Sequence, residues 1–582
     1  MSIDVTVTIG GEAGQGIQTV GDIIARVCHK VGLYLLAIND FESRIRGGHS
    51  FMQIRISDQP VLAPYHKIDL LIALNAETCA LHKKEMAETG LVLLDAENDT
   101  EKEDAKENLP EQAREKNVLP VAFSQMAKDA GGKIMTNTVA AGACLALLGA
   151  PFSAFEQILK TTFAEKEKIL ENNITAGRSG FDAVKNTDFN KAFDWPSDGS
   201  PKGRLLSGAH ALALGALAAD CRLAAFYPMS PATGIMVHLA EFMDQLPVLV
   251  EQAEDEISAV NMIIGASYAG VRALTATSGG GFSLMAEGLG LAGITETPAV
   301  IINSQRPGPA TGLPTRTGQG DLLFVIHASQ DEFPRFVFAP GSPNQAYDTM
   351  IRAFHLSEKY QVPAIILTDQ YFNDSLWMTT RKMAVPEEIE RFVAFDEDMT
   401  SPSDYKRFAI TASGISPRAL PCKGRALVCA TANEHDEAGH MSETIADRNT
   451  MVEKRQAKIK GMTGEMKGPK GYHGESESLL VGWGSSDGAI REAVDLLRSD
   501  NFDVGGLVFS DIWPFPPKKT KEALSSCKRF ITVEQNASSQ LGQLIRQQTG
   551  LSFHTSLLQY DGRPFTPNWI AEYTKSVLEE IR

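Results

Sequence analysis

The chain has 582 residues, 43% of them hydrophobic and 22% charged, with a formal net charge of −17. That length suits roughly three to five domains of about 100–200 residues, and the composition is that of a globular protein. The acidic balance disfavours nonspecific binding to nucleic acid or to an anionic membrane, because both carry charge of the same sign.

Residues 1–185 alternate strand-like and helix-like patterns. "VTVTIGG" predicts a strand, "GDIIARVCHKVG" a helix, and "HSFMQIRIS", "IDLLIALN" and "GLVLLDA" further strands, the alternation of an α/β domain. Residues 186–204 are polar and aperiodic, so a first domain is drawn over 1–190 and a linker over 191–204. A second α/β domain spans 205–385. Its strands, "LAAFYPM", "VLVEQ", "VRALTATS", "PAVIINSQ", "FVFAP" and "PAIILTDQ", are short and nearly all apolar, as in a buried parallel sheet. Residues 386–475 are more charged and irregular and read as a connecting segment holding one basic helix-like run, "NTMVEKRQAKIKGM". A third α/β unit, 476–582, opens with "SLLVGWGSSDGAIREAVDLL" and continues through "VGGLVFSDIWPFP" and "RFITVEQN". The expected fold class is therefore a multidomain α/β protein.

The seven cysteines are scattered, with no CxxC and no zinc or iron–sulfur spacing, which reads as free thiols in a reducing cytosol. The N-terminus lacks a basic patch followed by an apolar stretch, and no apolar run reaches about 18 residues. A cytoplasmic protein without a membrane span is expected.

Several motifs sit where strands give way to helices. "GGEAGQG" puts Gly10, Gly11, Gly14 and Gly16 between a strand and a helix, a turn that suits close backbone approach to an anion. It matches neither GxGxxG nor GxxxxGK[ST], so a plain tight turn is an equal alternative. "FESRIRGGHSF" gathers Arg44, Arg46 and His49 into a cationic cluster or a solvated turn. "YPMSPATG" aims the hydroxyls of Ser230 and Thr233 from a rigid turn at the end of a strand, where α/β sheets bind ligands. "VEQAEDEISAV" places Glu251, Glu254, Asp255 and Glu256 before an apolar helix, either as helix-terminus acids or with one carboxylate drawn into a cleft. "TATSGGGF" is another glycine turn, and "SQRPGPATGLPTRTGQGDL" carries Arg306 and Arg316 in a loop where a guanidinium can clamp a carboxylate. In "NEHDEAGH" the histidines are five apart, which argues for a loop contact over a metal site.

Taken together, "YPMSPAT", "AEDEISAVNMIIGASYAGVRALTATSGGGFSLM" and "ETPAVIINSQRPGPATGLPTRTGQGD", in this order and spacing, resemble the α subunit of the 2-oxoacid:ferredoxin oxidoreductases. The first domain, with "GGEAGQG", "FESRIRGGHS" and "TNTVAAGACLALLG", resembles that family's γ subunit fused in front of α, and the last unit a transketolase C-terminal-like domain. The resemblance implies a thiamine-diphosphate pyrimidine-binding domain in the middle of the chain. It also implies oxidative decarboxylation of a 2-oxoacid, 2-oxoglutarate being the leading candidate, with CoA to an acyl-CoA, CO2 and reduced ferredoxin. By position, Glu256 matches the glutamate that activates the coenzyme, with Glu254 as its competitor. Tyr227, Pro228, Gly279 and Gly280 fall at cofactor-binding positions. Ser230 and Thr233, with Arg306 and Arg316, fall at substrate-binding positions. Ser230 stands where Thr is usual, and "PAT" where "PSS" is common, which leaves the choice of 2-oxoacid open. Gly11, Gly14, Gly16 and Arg46 mark a possible CoA region. The sequence has no diphosphate–magnesium motif and no cluster ligands. The resemblance therefore assigns Mg2+ and the [4Fe-4S] cluster to a β subunit, in an expected (αβ)2 assembly served by ferredoxin.

Overall fold

The structure is a computed structural model and describes residues 3–42, 48–95, 117–163, 167–185, 195, 200–399 and 401–581. The strands are β1 (Asp4–Glu12), β2 (Tyr34–Asp40), β3 (His49–Ser57), β4 (Ile68–Ala73), β5 (Met86–Asp95), β6 (Val118–Val121), β7 (Arg204–Ser207), β8 (Leu223–Phe226), β9 (Leu249–Gln252), β10 (Ala273–Thr277), β11 (Ala299–Gln305), β12 (Phe336–Phe338), β13 (Pro363–Asp369), β14 (Leu376–Thr379), β15 (Lys470–Tyr472), β16 (Ser478–Trp483), β17 (Val504–Phe509), β18 (Asp511–Trp513), β19 (Arg529–Glu534) and β20 (Thr555–Leu558). The helices are α1 (Ile17–Lys30), α2 (Ala76–His82), α3 (Phe123–Asp129), α4 (Thr136–Leu147), α5 (Phe152–Thr162), α6 (Glu167–Val184), α7 (Gly208–Ala218), α8 (Thr233–Ala240), α9 (Glu256–Tyr268), α10 (Gly279–Ile294), α11 (Leu322–His327), α12 (Pro343–Tyr360), α13 (Gln370–Asp374), α14 (Ile445–Glu465), α15 (Asp487–Ser499), α16 (Pro517–Leu524), α17 (Gln540–Thr549) and α18 (Pro567–Ile581).

The chain forms two compact units. The first comprises 1–206 together with 375–380 and 566–568. Its eight-stranded sheet runs β6-β5-β4-β1-β3-β2-β14-β7. The strands β1, β4, β5 and β6 pair in parallel, whereas β3 and β2 continue from β1 antiparallel, and β14 adds antiparallel to β2. The apolar run "VTVTI" is buried at Val5, Val7 and Ile9, which pack with α1 and α4 residues such as Ile24 and Val139.

The second unit comprises 207–374, 381–565 and 569–582. Its larger sheet has the order β18-β12-β13-β11-β10-β8-β9 and is parallel except where β18 joins β12. A five-stranded sheet, β15-β17-β16-β19-β20, is parallel except at β15. One hydrophobic core joins both sheets, from Ile301 and Ile365 through Leu322 to Val481 and Leu541. The strands β10, β11 and β13 are buried along their whole length, as near-continuous apolar runs require. The run "VLVEQ" differs: β9 lies at the sheet edge, pairs with β8, and leaves Leu249 52% exposed. The basic run expected as a helix is α14, and its Lys454 and Lys458 are buried with Glu296 rather than solvated. None of the described helices is long and apolar enough to cross a membrane.

Candidate functional site

In the second unit the acidic run resolves by helical phase. Asp255 is the N-cap of α9, and its side chain accepts from the Ser258 N–H at 2.7 Å. With the cap supplied there, Glu256 is the first helical residue and points inward. It is 3% exposed, and its Oε1 is buried without a hydrogen-bond partner. Glu251 and Glu254 are exposed. A buried, unanswered acceptor is costly unless something meets it.

The wall opposite Glu256 is the start of α10. Ser278 ends β10 in extended conformation, caps nothing with its side chain, and has a buried Oγ without a partner. Gly279, Gly280 and Gly281 then open the helix with free N–H groups. Space requires glycine at 279 and 281. A Cβ on Gly281 would lie 2.8 Å from Glu256 Cγ and closer still to Glu256 Oε1 and Thr277 Oγ1. One on Gly279 would lie 3.0 Å from the Asp321 carboxyl carbon and closer to its Oδ2.

The loop holding Ser230 lies at the end of β8. Arg306 donates from Nη1 to the Ser230 carbonyl at 2.7 Å, and Asn373 donates from Nδ2 to the Pro231 carbonyl at 3.2 Å. Ser230 and Tyr227 are exposed, Pro228 is half-buried, and Thr233 begins α8. A cavity of about 430 Å³ is lined by Ser278, Gly279, Gly280, Arg306, Asp321 and Phe324, among others. Partial burial draws the Arg306 pKa down, yet a guanidinium stays charged at neutral pH. Arg316 does not line this cavity. Its Cβ packs against Gly562, where an added Cβ would lie 2.9 Å away, and the neighbouring Thr317 N–H donates to the Gly562 carbonyl at 3.1 Å.

Thus Ser230, Arg306, Gly279 and Gly280 come together, with Glu256 on the other side of the triglycine, whereas Arg316 faces a different segment. Asp321 and Ser278 were not singled out from the sequence. An aspartate ahead of "LLFVIH" has the pattern of an ordinary helix cap, and a serine before three glycines that of a turn. The arrangement suits a flat, partly apolar heterocycle with a basic nitrogen: Glu256 Oε1 awaits a donor, and Gly279 and Gly280, beside Gly281, line the cavity.

In the first unit, Gly14 and Gly16 both have positive φ, at 95° and 77°. Gly16 is the N-cap of α1, and a Cβ there would lie 2.7 Å from Asn137 Cγ. Gly11 is still within β1. Gln15 Oε1 accepts from the Glu12 N–H at 2.6 Å and ties the loop to itself. A second cavity, of about 370 Å³, lies at the carboxyl ends of β1, β4 and β5 and is lined by Gly14, Gln15, Asp95, Ser124, Lys133 and Asn137, among others. Arg44 and Arg46 lie outside the described residues. Among the described residues no group of three or more His, Cys, Asp or Glu side chains is placed to hold a metal ion. His435 of "NEHDEAGH" is fully buried and packs, tilted by 32°, against Phe408 at 3.9 Å between ring centres.

Comparison with known proteins places the chain in a family. Residues 214–454 match the family model for "Pyruvate flavodoxin/ferredoxin oxidoreductase, thiamine diP-bdg", residues 6–183 that for "Pyruvate ferredoxin/flavodoxin oxidoreductase", and residues 476–568 that for "Pyruvate:ferredoxin oxidoreductase core domain II". A 2-oxoacid:ferredoxin oxidoreductase subunit alpha from Sulfolobus sp is 32% identical over 98% of this chain and 96% of its own length. A 2-oxoglutarate oxidoreductase subunit KorA from Mycobacterium tuberculosis is 28% identical over 99% of this chain and 92% of its own. The solved 2-oxoglutarate:ferredoxin oxidoreductase from Magnetococcus marinus, with 2-oxoglutarate, coenzyme A and succinyl-CoA bound, superposes with a TM-score of 0.88 at 30% identity and covers 98% of this chain and 99% of that one. The α/β class and the oxidoreductase resemblance drawn from the motifs agree with these matches. The chain belongs to the α-subunit family of the thiamine-diphosphate-dependent 2-oxoacid:ferredoxin oxidoreductases.

Proposed function

We propose that this chain is the γα-fused subunit of a 2-oxoglutarate:ferredoxin oxidoreductase, active when joined to a β subunit. The observation that carries the reading is the buried, unpartnered Oε1 of Glu256 facing the triglycine, with Arg306 on the neighbouring cavity. Thiamine diphosphate, when bound, supplies the electron sink that decarboxylation of a 2-oxoacid needs. In this reading Glu256 would share a proton with the pyrimidine nitrogen N1′, and Gly279, Gly280, Tyr227 and Pro228 would hold the pyrimidine. Arg306, held by the Ser230 carbonyl, takes a substrate carboxylate, with the hydroxyls of Ser230 and Thr233 beside it. The packing of Arg316 on Gly562 makes it the weaker candidate for that role.

The relative with 2-oxoglutarate and CoA bound, matched along nearly its full length, supports the choice of substrate. CoA is assigned to the first unit, at the cavity lined by Gly14 and Lys133. The β subunit brings Mg2+ with the diphosphate site and the [4Fe-4S] cluster, and ferredoxin takes the electrons in a cytoplasmic (αβ)2 enzyme. The exposed apolar side chains of Val237, Leu249, Ile257 and Leu284, on α8, β9, α9 and α10, suit surface covered by that partner. The test is to co-express the chain with its β subunit and measure CoA-dependent viologen reduction on 2-oxoglutarate, pyruvate, branched-chain and aryl 2-oxoacids. Highest kcat/KM on 2-oxoglutarate supports the reading. A preference for another acid moves the substrate, and no turnover on any of them makes the chain a non-catalytic assembly subunit.

A further inference from the structure

Asp321 stands where the long glycine- and proline-rich loop enters α11, at the N-cap position, yet its side chain makes no capping bond. Its Oδ2 accepts from Asn303 Nδ2 at 3.1 Å, and its backbone N–H donates to Gln305 Oε1 at 3.0 Å. The carboxyl group lies against the Cα of Gly279, while Glu256 lies against that of Gly281, so two carboxyl groups flank one triglycine helix start. Asp321 also lines the cavity that holds Arg306. The charged groups around it are Arg306 across that cavity and Glu256 beyond the triglycine. Asn303, Gln305, Ser278 and, from α17, Gln540 beside the Gly320 carbonyl are uncharged. Neither charged group forms an ion pair with it, and burial, opposed by the Asn303 hydrogen bond, raises its pKa above the usual aspartate range.

The reaction needs a proton in this place. Attack on C2 of a 2-oxoacid moves the carbonyl electron pair onto oxygen, which then takes up one proton. Loss of the carboxylate as CO2 leaves its bonding electron pair on that carbon, and passage of two electrons to ferredoxin then brings the carbon to the acyl level and releases the same proton. We infer that Asp321 is the acid–base residue of the substrate cavity. As the neutral acid it gives its proton to the 2-oxo oxygen, and as the carboxylate it takes that proton back, so each turnover leaves it as it began. The inference rests on the functional reading above.

The experiment compares Asp321→Asn and Asp321→Glu with the wild type in the complete complex with its β subunit. Asp321→Asn should lower kcat on 2-oxoglutarate by about 10²-fold or more, the range of general acid–base groups, with KM within about threefold. The kcat–pH profile should lose one limb. Asp321→Glu, which keeps an acid in the cavity, should regain at least about tenfold over the Asn variant. A readout independent of turnover is the thermal midpoint of the chain between pH 4 and 8. A raised carboxyl pKa gives stability that is full below the unfolded value of about 3.9 and is lost as pH rises through the folded value. Asp321→Asn lacks that loss, so its midpoint should gain on the wild type as pH rises. A wild type active on 2-oxoacids with an equally active Asn variant overturns this inference alone. So does a raised KM at unchanged kcat, or a midpoint gap that shrinks with pH. A wild-type complex inactive on every 2-oxoacid overturns the functional reading and this inference with it.

Discussion

Gly281→Ala tests the geometry of the site without removing any functional group. The new methyl would lie 2.8 Å from Glu256 Cγ and nearer still to Glu256 Oε1 and Thr277 Oγ1, inside the 3.0 Å that Cβ atoms essentially never breach. Thr277 is fully buried and β-branched, so it has few rotamers to escape into. Both the Thr277 hydroxyl and the Glu256 carboxyl group have to give way, the carboxyl group by about 1 Å to reach ordinary van der Waals contact. Overpacking of this kind costs about 1–3 kcal/mol, and alanine returns about 0.5–1 kcal/mol of helix preference over glycine. The net is a loss of between about 0 and 2.5 kcal/mol in stability. A misplacement of that size at a reacting group is worth about 10²-fold in rate. Gly280→Ala serves as the stability control: its nearest outside atom would be the Ala310 carbonyl oxygen at 3.8 Å, so it gains the helix preference without the overlap. The assays are denaturation midpoints of both variants and 2-oxoacid turnover of Gly281→Ala in complex with the β subunit. The reasoning fails if Gly281→Ala is as stable as Gly280→Ala and turns over within about threefold of wild type.

Glu256→Gln should retain the coenzyme and the fold, since Asp255 supplies the cap, yet lose about 10²–10⁴-fold in turnover. Deuterium exchange at the coenzyme's thiazolium C2 checks this, and wild-type exchange in the variant would remove Glu256 from the chemistry. Arg306→Ala should cost about 10- to 150-fold in kcat/KM on the 2-oxoacid, the worth of a charge-assisted contact of about 1.5–3 kcal/mol. Arg316→Ala should cost clearly less, and the reverse order in parallel kinetics would exchange their roles. Glu296→Gln strands Lys454 and Lys458, both fully buried at their side chains, and should destabilise the chain by about 3–5 kcal/mol in denaturant titration. Burial alone would raise the Glu296 pKa, but Lys458, Lys454 and Arg407 outweigh it and hold it below the usual range. The stability it contributes is therefore present above the unfolded value of about 4.3 and lost as pH falls through the folded value. The gap between wild type and Glu296→Gln should close on acidification, and a gap that stays constant with pH would contradict this.

The parts of the site built from local chemistry were legible in the sequence. The strand–glycine–helix junction at 275–281 and the proline-braced turn at 227–233 announce themselves by composition, because small size and fixed φ belong to particular residue types. The choice among Glu254, Asp255 and Glu256 is a matter of helical phase, which one residue of error in a boundary erases. Asp321 was hidden because its position imitates a cap that its side chain does not make. The burial of α14 was hidden for a related reason: Lys454 and Lys458 are buried because Glu296, more than 150 residues away, pairs with them. Leu376–Thr379 gave no sign that it pairs with Leu36 and Ala37, since register with a distant strand leaves no local trace.

That last pairing bears on how the protein is made. The first unit is not closed by its own contiguous segment: β14 reaches β2 from beyond residue 374, and 566–568 arrive later still. A ribosome that has just finished residue 206 has released most of an eight-stranded sheet with the β2 edge still unpaired. At about 5–20 residues per second the missing strand follows roughly 10–30 s later. During that interval β2 offers a row of unsatisfied backbone groups to any passing strand, the situation in which sheet edges aggregate or recruit chaperones. Two modules fused in one gene are thereby matured in an obligatory order. The leading one is sealed only after the first stretch of its neighbour, residues 207–374, has been made, which ties the closure of the first to continued synthesis of the second.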